Sequence, residues 1–359
     1  MSNRDLVPIR DDLRAMEGYH SAQVDVAVRL NTNESPFPPP PGWREELAGA
    51  LGAIEWHRYP DRRATGLRAA IAAWHGVDVD QVFAANGSNE VLQTLLLTYA
   101  GAGRSVLTFE PTYQLHAHIA RITGATVVEV ERAADFTLEA AAVAAAVREH
   151  RPTVTFLCSP NNPTGIVEAP AVVDAALGAA DGLVVVDEAY AQFAGWSALD
   201  LVAEDRPLVV VRTFSKTWSM AAARLGYLVG PAWLVRHLED VVLPYHLDAA
   251  KQIAGALALR HVDEMDERVK IIVDERERLV DGLRTLPVET FPSGANFVLF
   301  RVGDGAIAAG HRVWQGLVDR GVLVRDCSGW PRLGGCLRVT IGTPAENDRF
   351  LAALAEVLA

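Results

Sequence analysis

Leu208-Val-Val-Val-Arg-Thr-Phe-Ser-Lys216 runs from an apolar, strand-like segment into a hydroxyl and then an amine, and Arg224 follows eight positions later. An apolar run of this kind reads as a buried strand of a sheet covered on both faces. Similar runs recur at Val82-Phe83-Ala84, Ser105–Phe109, Thr126–Val130, Thr153–Leu157 and Leu183–Val186. Alanine-rich helical stretches separate them between about Trp43 and Val242, which predicts an α/β domain built on a mostly parallel, two-sided sheet. After about Pro244, a charged helix over roughly 260–285 and strands at Ala295–Phe300 and Cys336–Ile341 predict a smaller α+β domain closing over the first. The proline run Pro36–Pro41 excludes helix and central strand and reads as an extended arm. The expected organisation is an arm over 1–42, a large domain over 43–245, and a small domain over 246–359 that packs with the arm.

The 359 residues, 50% of them hydrophobic, allow a substantial core. A formal charge of −12 argues against a nucleic-acid surface, because phosphate backbones reward excess lysine and arginine. Cys158, Cys327 and Cys336 form no CxxC pair and leave an odd thiol, so neither a disulfide framework nor a zinc knuckle is expected, and a reducing cytoplasm fits. The N-terminus carries charge and proline where a signal peptide needs an apolar core. No apolar stretch reaches the ~20 residues of a membrane span, so no membrane partner is expected.

Four motifs carry chemistry. The amine, hydroxyl and guanidinium of Lys216, Ser215 and Arg224 suit a ligand with both an aldehyde and a phosphate, which points to pyridoxal phosphate. Asn86-Gly-Ser-Asn-Glu90 is a glycine turn feeding a helix, a source of free amide donors for a phosphate, although Ser and Asn are also ordinary caps. Ser159-Pro-Asn-Asn-Pro-Thr-Gly165 follows a strand, where a loop faces the ligand crevice and Asn162 can donate to a phenolic oxygen; an ordinary turn is the alternative. Val184-Val-Val-Asp-Glu-Ala-Tyr190 sets Asp187 at the end of a buried strand. A buried carboxylate needs a partner, and a cofactor's pyridinium nitrogen or a helix to cap would each supply one.

The ordered set Ser88, Tyr113, Asn162, Asp187, Tyr190, Ser215, Lys216 and Arg224 resembles that of fold-type I pyridoxal-phosphate enzymes, specifically class II aminotransferases of the histidinol-phosphate aminotransferase family. The resemblance covers nearly the whole chain. It implies that Lys216 forms an imine with the cofactor aldehyde, that Asp187 pairs with the pyridinium, and that Asn162 and Tyr190 contact O3′. It implies further that Tyr113 stacks on the ring and that Ser88, Asn89, Ser215 and Arg224 hold the phosphate. Tyr59, in Arg-Tyr-Pro-Asp, would reach that phosphate from a neighbouring subunit, which implies a homodimer. For the substrate, the resemblance points to Tyr19, to Asn33 in Asn31-Thr-Asn-Glu-Ser-Pro36, to Asn296, and to Arg338 as carboxylate partner with Arg325 at the anionic end. Tyr19 as a boundary aromatic and Asn296 as a purely structural amide are the competing readings.

His116 and His118 are too sparse for a zinc site and are expected to be solvent-side or helix-packing residues, so no metal is predicted. Asp248 and Lys251 stand where the family commonly has Ser and a small polar residue, in a segment bordering the pocket. The expected reaction passes the amino group between glutamate with its 2-oxo acid and imidazole-acetol phosphate with histidinol phosphate. Aromatic amino-acid transamination and threonine-phosphate-type decarboxylation are the alternative activities. A ligand-sensing regulator is the non-enzymatic alternative, and it would need a DNA-binding module for which this chain leaves no room.

Overall fold

The structure, a computed structural model, describes residues 7–14, 16, 18 and 22–359. Among these the strands are β1 (Val28–Leu30), β2 (Val82–Ala85), β3 (Ser105–Glu110), β4 (Thr126–Glu131), β5 (Val154–Cys158), β6 (Leu183–Asp187), β7 (Leu208–Thr213), β8 (Gly226–Val229), β9 (Val288–Thr290), β10 (Phe297–Val302), β11 (Val322–Asp326) and β12 (Cys336–Thr340). A seven-stranded sheet has the order β2-β8-β7-β6-β5-β3-β4, and a five-stranded sheet the order β1-β11-β12-β10-β9.

In the larger sheet β3 to β7 run parallel and β8 is antiparallel to both of its neighbours. The valine runs are apolar on both faces because each face meets a separate core. Val185, Val209 and Val211 pack with Leu92, Leu95 and Leu96 of the helix Ser88–Tyr99. Val184, Val186 and Val210 point the other way, onto Val143 and Val147 of the helix Ala140–His150 and Val172 and Val173 of Pro170–Ala179. Each such valine contributes roughly 1.5–3 kcal/mol by leaving water, so a polar residue on either side of these strands would be costly.

Register then places the chemistry. Cys158 pairs with Asp187 and Asp187 with Val211, so the carboxyl ends of β5, β6 and β7 lie level. In an open parallel sheet that edge forms the ligand crevice. β1, from the N-terminal arm, adds to the smaller sheet in parallel with β11. The helix Val262–Arg284 covers that sheet with Ile272, Leu279 and Leu283. The last residue of the proline run behaves differently from the rest: Pro41 starts the helix Pro41–Gly52 at a position whose N–H has no helical partner to lose. No helix among the described residues is long and apolar enough to cross a membrane.

Candidate active site

One cavity of about 370 Å3 opens at the carboxyl edge of the large sheet, and it gathers residues from seven places in the sequence. Ser88 and Asn89 come from the first turn of the helix after β2, Tyr113 from the turn after β3, and Asn162 from the loop after β5. Asp187 ends β6, with Tyr190 just beyond it; Ser215, Lys216 and Arg224 follow β7, and Asn33 comes from the arm. Arg338, on β12, closes the cavity from the smaller sheet.

At one end are groups suited to a phosphate. Ser88 opens a helix whose first amides have no helical acceptor, Arg224 Nη1 donates to Ser215 Oγ at 3.3 Å, and Thr213 Oγ1 lies 3.0 Å from the same hydroxyl. The turn is tightly built: a Cβ on Gly87 would stand 2.9 Å from Arg224 Nη2, and one on Gly226 only 2.2 Å from the Ser88 amide nitrogen. Gly87 also has φ +82°, a conformation L side chains rarely adopt.

At the centre, Asp187 is 2% exposed. Its Oδ1 accepts from the Ala189 amide at 3.1 Å, a local turn and not the helix cap that is the alternative reading, since the next helical turn, Ala191–Phe193, has Tyr190 at its N-cap. Its Oδ2 accepts from His116 Nε2 at 2.9 Å. His116 is fully buried, stacked on Phe156 at 4.4 Å between centroids and edge-on to Tyr113. Of the two roles expected for it, solvent-side or helix-packing, the structure gives a packed one, behind the carboxylate. Its place three residues after Tyr113, in the first turn of the helix Leu115–Ile122, is the signal that could have found it.

Lys216 Nζ donates to the Thr32 carbonyl at 3.0 Å and lies 5.8 Å from the centroid of the Tyr190 ring. Burial, with Arg338 and Arg224 adding positive charge against the opposing pull of Glu34, lowers its pKa from 10.5 to about 7. Burial pushes the Tyr190 phenol upward, so it stays protonated, and its oxygen accepts from Asn33 Nδ2 at 3.0 Å. Arg338 donates through Nη1 to Asn162 Oδ1 and through Nη2 to the Asn31 carbonyl at 2.9 Å. Cys158 also lines the cavity, its thiol pushed up by burial, and went unnoticed in the sequence because nothing marks one cysteine among three.

The remaining predicted residues lie elsewhere. Asn296 is buried behind the cavity wall, with Nδ2 donating to the Asn33 carbonyl at 3.2 Å. Arg325, the register partner of Arg338, sits 5.4 Å from the Trp330 ring centroid in an adjoining cleft with His118 and Arg121. Tyr59 is 80% exposed and stacks on Tyr245 at 4.5 Å. Tyr19 falls outside the described residues.

A lowered-pKa amine, a buried carboxylate and a phosphate-sized nest of donors match the three chemical ends of pyridoxal phosphate: aldehyde, ring nitrogen and phosphate ester. On this sheet topology they define a fold-type I pyridoxal-phosphate-dependent transferase. The chain matches the model of aminotransferase class I and II over residues 25–354. It is 48% identical to a histidinol-phosphate aminotransferase of Frankia casuarinae, across 99% of this chain and 91% of that one. A histidinol-phosphate aminotransferase of Thermobifida fusca is 47% identical across 98% and 95%. The solved histidinol-phosphate aminotransferase of Sinorhizobium meliloti, in complex with pyridoxal 5′-phosphate, superposes with a TM-score of 0.86 at 26% identity, covering 93% of this chain and 91% of that one. The chain belongs to the class I and II aminotransferases; it is a pyridoxal-phosphate-dependent transaminase.

Proposed function

We propose that the chain exchanges an amino group between L-histidinol phosphate and 2-oxoglutarate, giving imidazole-acetol phosphate and L-glutamate. The names and near-half identity of the Frankia and Thermobifida relatives support the substrate. The single observation that carries the chemistry is that Lys216, its pKa lowered by burial, shares one cavity with Asp187 and Arg338.

Bound pyridoxal phosphate supplies an aldehyde that takes up an amino nitrogen and a conjugated ring that accepts the electron pair released at the substrate's α-carbon. Lys216 does the proton work. With its pKa lowered by burial and by Arg338 and Arg224, an unprotonated fraction of the amine is available near neutral pH, so Nζ would serve as a nucleophile and as the group that carries a proton to or from carbon. Asp187, oriented by His116 on one oxygen and the Ala189 amide on the other, would hold positive charge at the ring nitrogen. Asn162 and Tyr190 would bind the phenolic oxygen, Tyr113 would lie against the ring, and Ser88, Asn89, Ser215 and Arg224 would hold the phosphate. Arg338 is the bidentate partner of the substrate carboxylate in the glutamate half-reaction, and Asn33, with Asn296 bonded to its carbonyl, shapes that side. Tyr19 and Arg325 take the substrate's anionic end.

The active form in this reading is a homodimer, with Tyr59 reaching the neighbouring subunit's phosphate site. Its exposure, beside the equally exposed Trp56 and Leu243, supports that role. Three free, buried thiols support a cytoplasmic setting.

The test is a half-reaction. The holoenzyme is mixed separately with L-histidinol phosphate, L-glutamate, L-phenylalanine and O-phospho-L-threonine, while visible absorbance and CO2 are followed. Conversion to the pyridoxamine form by the first two supports the reading. A response to phenylalanine but not histidinol phosphate, or CO2 from phosphothreonine, overturns it.

A further inference from the structure

The segment that departs from the family pattern, Leu243–Gln252, is tied to the phosphate-binding turn. Lys251 Nζ donates to Asn86 Oδ1 at 2.7 Å and pairs with Asp248 Oδ2 at 3.0 Å. Asp248 in turn caps the helix Ala249–Ala258 by accepting from the Lys251 amide at 2.9 Å, so the residue that holds the lysine's head also fixes its backbone. With Oδ1 engaged, Asn86 turns its Nδ2 toward Glu90 Oε2 at 2.7 Å and the His246 carbonyl at 2.8 Å. Glu90 accepts from the Asn86 amide as well, at 2.6 Å. From the other direction, His246 Nε2 donates to the Ala84 carbonyl at 2.9 Å while its ring stacks over Phe83.

The turn 86–88 is thus held from two sides. Arg224 and Gly226 press on Gly87 and Ser88, and the 246–251 segment grips Ala84 and Asn86. The Lys251 side chain is only 26% exposed, and a charged donor in a part-buried site forms a stronger hydrogen bond than a neutral one. A short polar residue at 251 would lack the reach of the lysine's four-carbon stem.

We propose that Lys251 is a positioning residue for the cofactor phosphate, acting through Asn86 to hold the Gly87-Ser88 turn in its binding conformation. The proposal rests on the assignment of Ser88, Ser215 and Arg224 as the phosphate site. Lys251 is not among the residues that line the cavity with Lys216, so it would govern how tightly the cofactor stays and leave the Lys216 end unchanged.

The experiment is equilibrium dialysis of the full-length holoenzyme against a series of pyridoxal phosphate concentrations, for wild type, Lys251→Met, Asn86→Ala and the double variant. Thermal melts and the pH dependence of the visible band accompany it. Methionine keeps the apolar stem and removes the donor. The cofactor dissociation constant rises about tenfold in Lys251→Met, the loss of one charge-assisted hydrogen bond. The double variant binds no more weakly than Asn86→Ala, and the pH dependence of the band is unchanged. A dissociation constant within twofold of wild type, with or without a lower melting temperature, overturns the proposal and leaves Lys251 a structural residue. An effect of Lys251→Met that persists undiminished in the Asn86→Ala background also overturns it. If Asn86→Ala does not fold, the Lys251→Met constant decides alone. Wild type that fails to retain pyridoxal phosphate overturns the site reading itself, a result distinct from wild-type retention with an unaffected Lys251 variant.

Discussion

Replacing Lys216 by methionine in the cofactor-free chain makes the fold more stable, and the gain depends on pH. The structure lowers the lysine's pKa from 10.5 to about 7. At about 1.4 kcal/mol per pKa unit the full cost of burying the charged amine is about 5 kcal/mol, which falls to roughly 2–3 kcal/mol because solvent reaches part of the side chain and screens it. The folded-state pKa lies below the unfolded one. Below about pH 7 both states carry the proton and the whole cost is present; between 7 and 10.5 the unfolded chain alone retains it, so rising pH favours the fold; above 10.5 the penalty is gone. Urea melts of the two cofactor-free proteins, followed by tryptophan fluorescence from pH 6 to 10, give the difference directly. Other titrating groups cancel in that difference, and the lost bond to the Thr32 carbonyl enters as a constant offset. The variant's advantage is largest at pH 6 to 7 and shrinks toward pH 10. A gap that stays flat across this range refutes the argument that burial and the two arginines depress the amine.

Arg338→Lys keeps the charge but loses the planar fork, so KM for glutamate rises about 30-fold or more while kcat with saturating substrate falls less, read from steady-state kinetics. His116→Phe preserves the stack on Phe156 and removes the donor to Asp187, so turnover falls about tenfold and the fold loses about 1–3 kcal/mol for the buried oxygen left without its donor; full activity would show that Asp187 needs no help in orientation. Arg212→Met leaves the buried Glu188 carboxylate with its bonds from Ser197 and the Ala198 amide but without its counter-charge, since it now accepts from Arg212 Nε at 3.1 Å and Nη2 at 2.8 Å. Chemical denaturation should show a loss of about 3–5 kcal/mol.

The large sheet was legible because its strands are apolar on both faces, and each predicted run lies within one or two residues of an observed strand. β8 was not: Gly226-Tyr-Leu-Val229 is short and follows the lysine loop with only the single 3-10 turn Ala221–Ala223 between, and it runs antiparallel between β2 and β7. β1 is three residues long with Arg29 at its middle, so it has no apolar pattern of its own and exists through pairing with β11. Within the site, the cofactor-facing residues follow strand ends in order, which places them by topology. His116 escaped because a buried histidine behind a carboxylate looks in sequence like any helix residue.

Lysine is scarce in this chain, occurring at 216, 251 and 270 alone, which makes one labelling experiment unusually clear. The holoenzyme is treated with borohydride to make the cofactor–lysine linkage permanent, digested, and mapped by mass spectrometry. The phosphopyridoxyl mass is expected on the peptide carrying Lys216 and on no other. The mass on Lys251 or Lys270, or a protein that takes up no label, would contradict the assignment of Lys216.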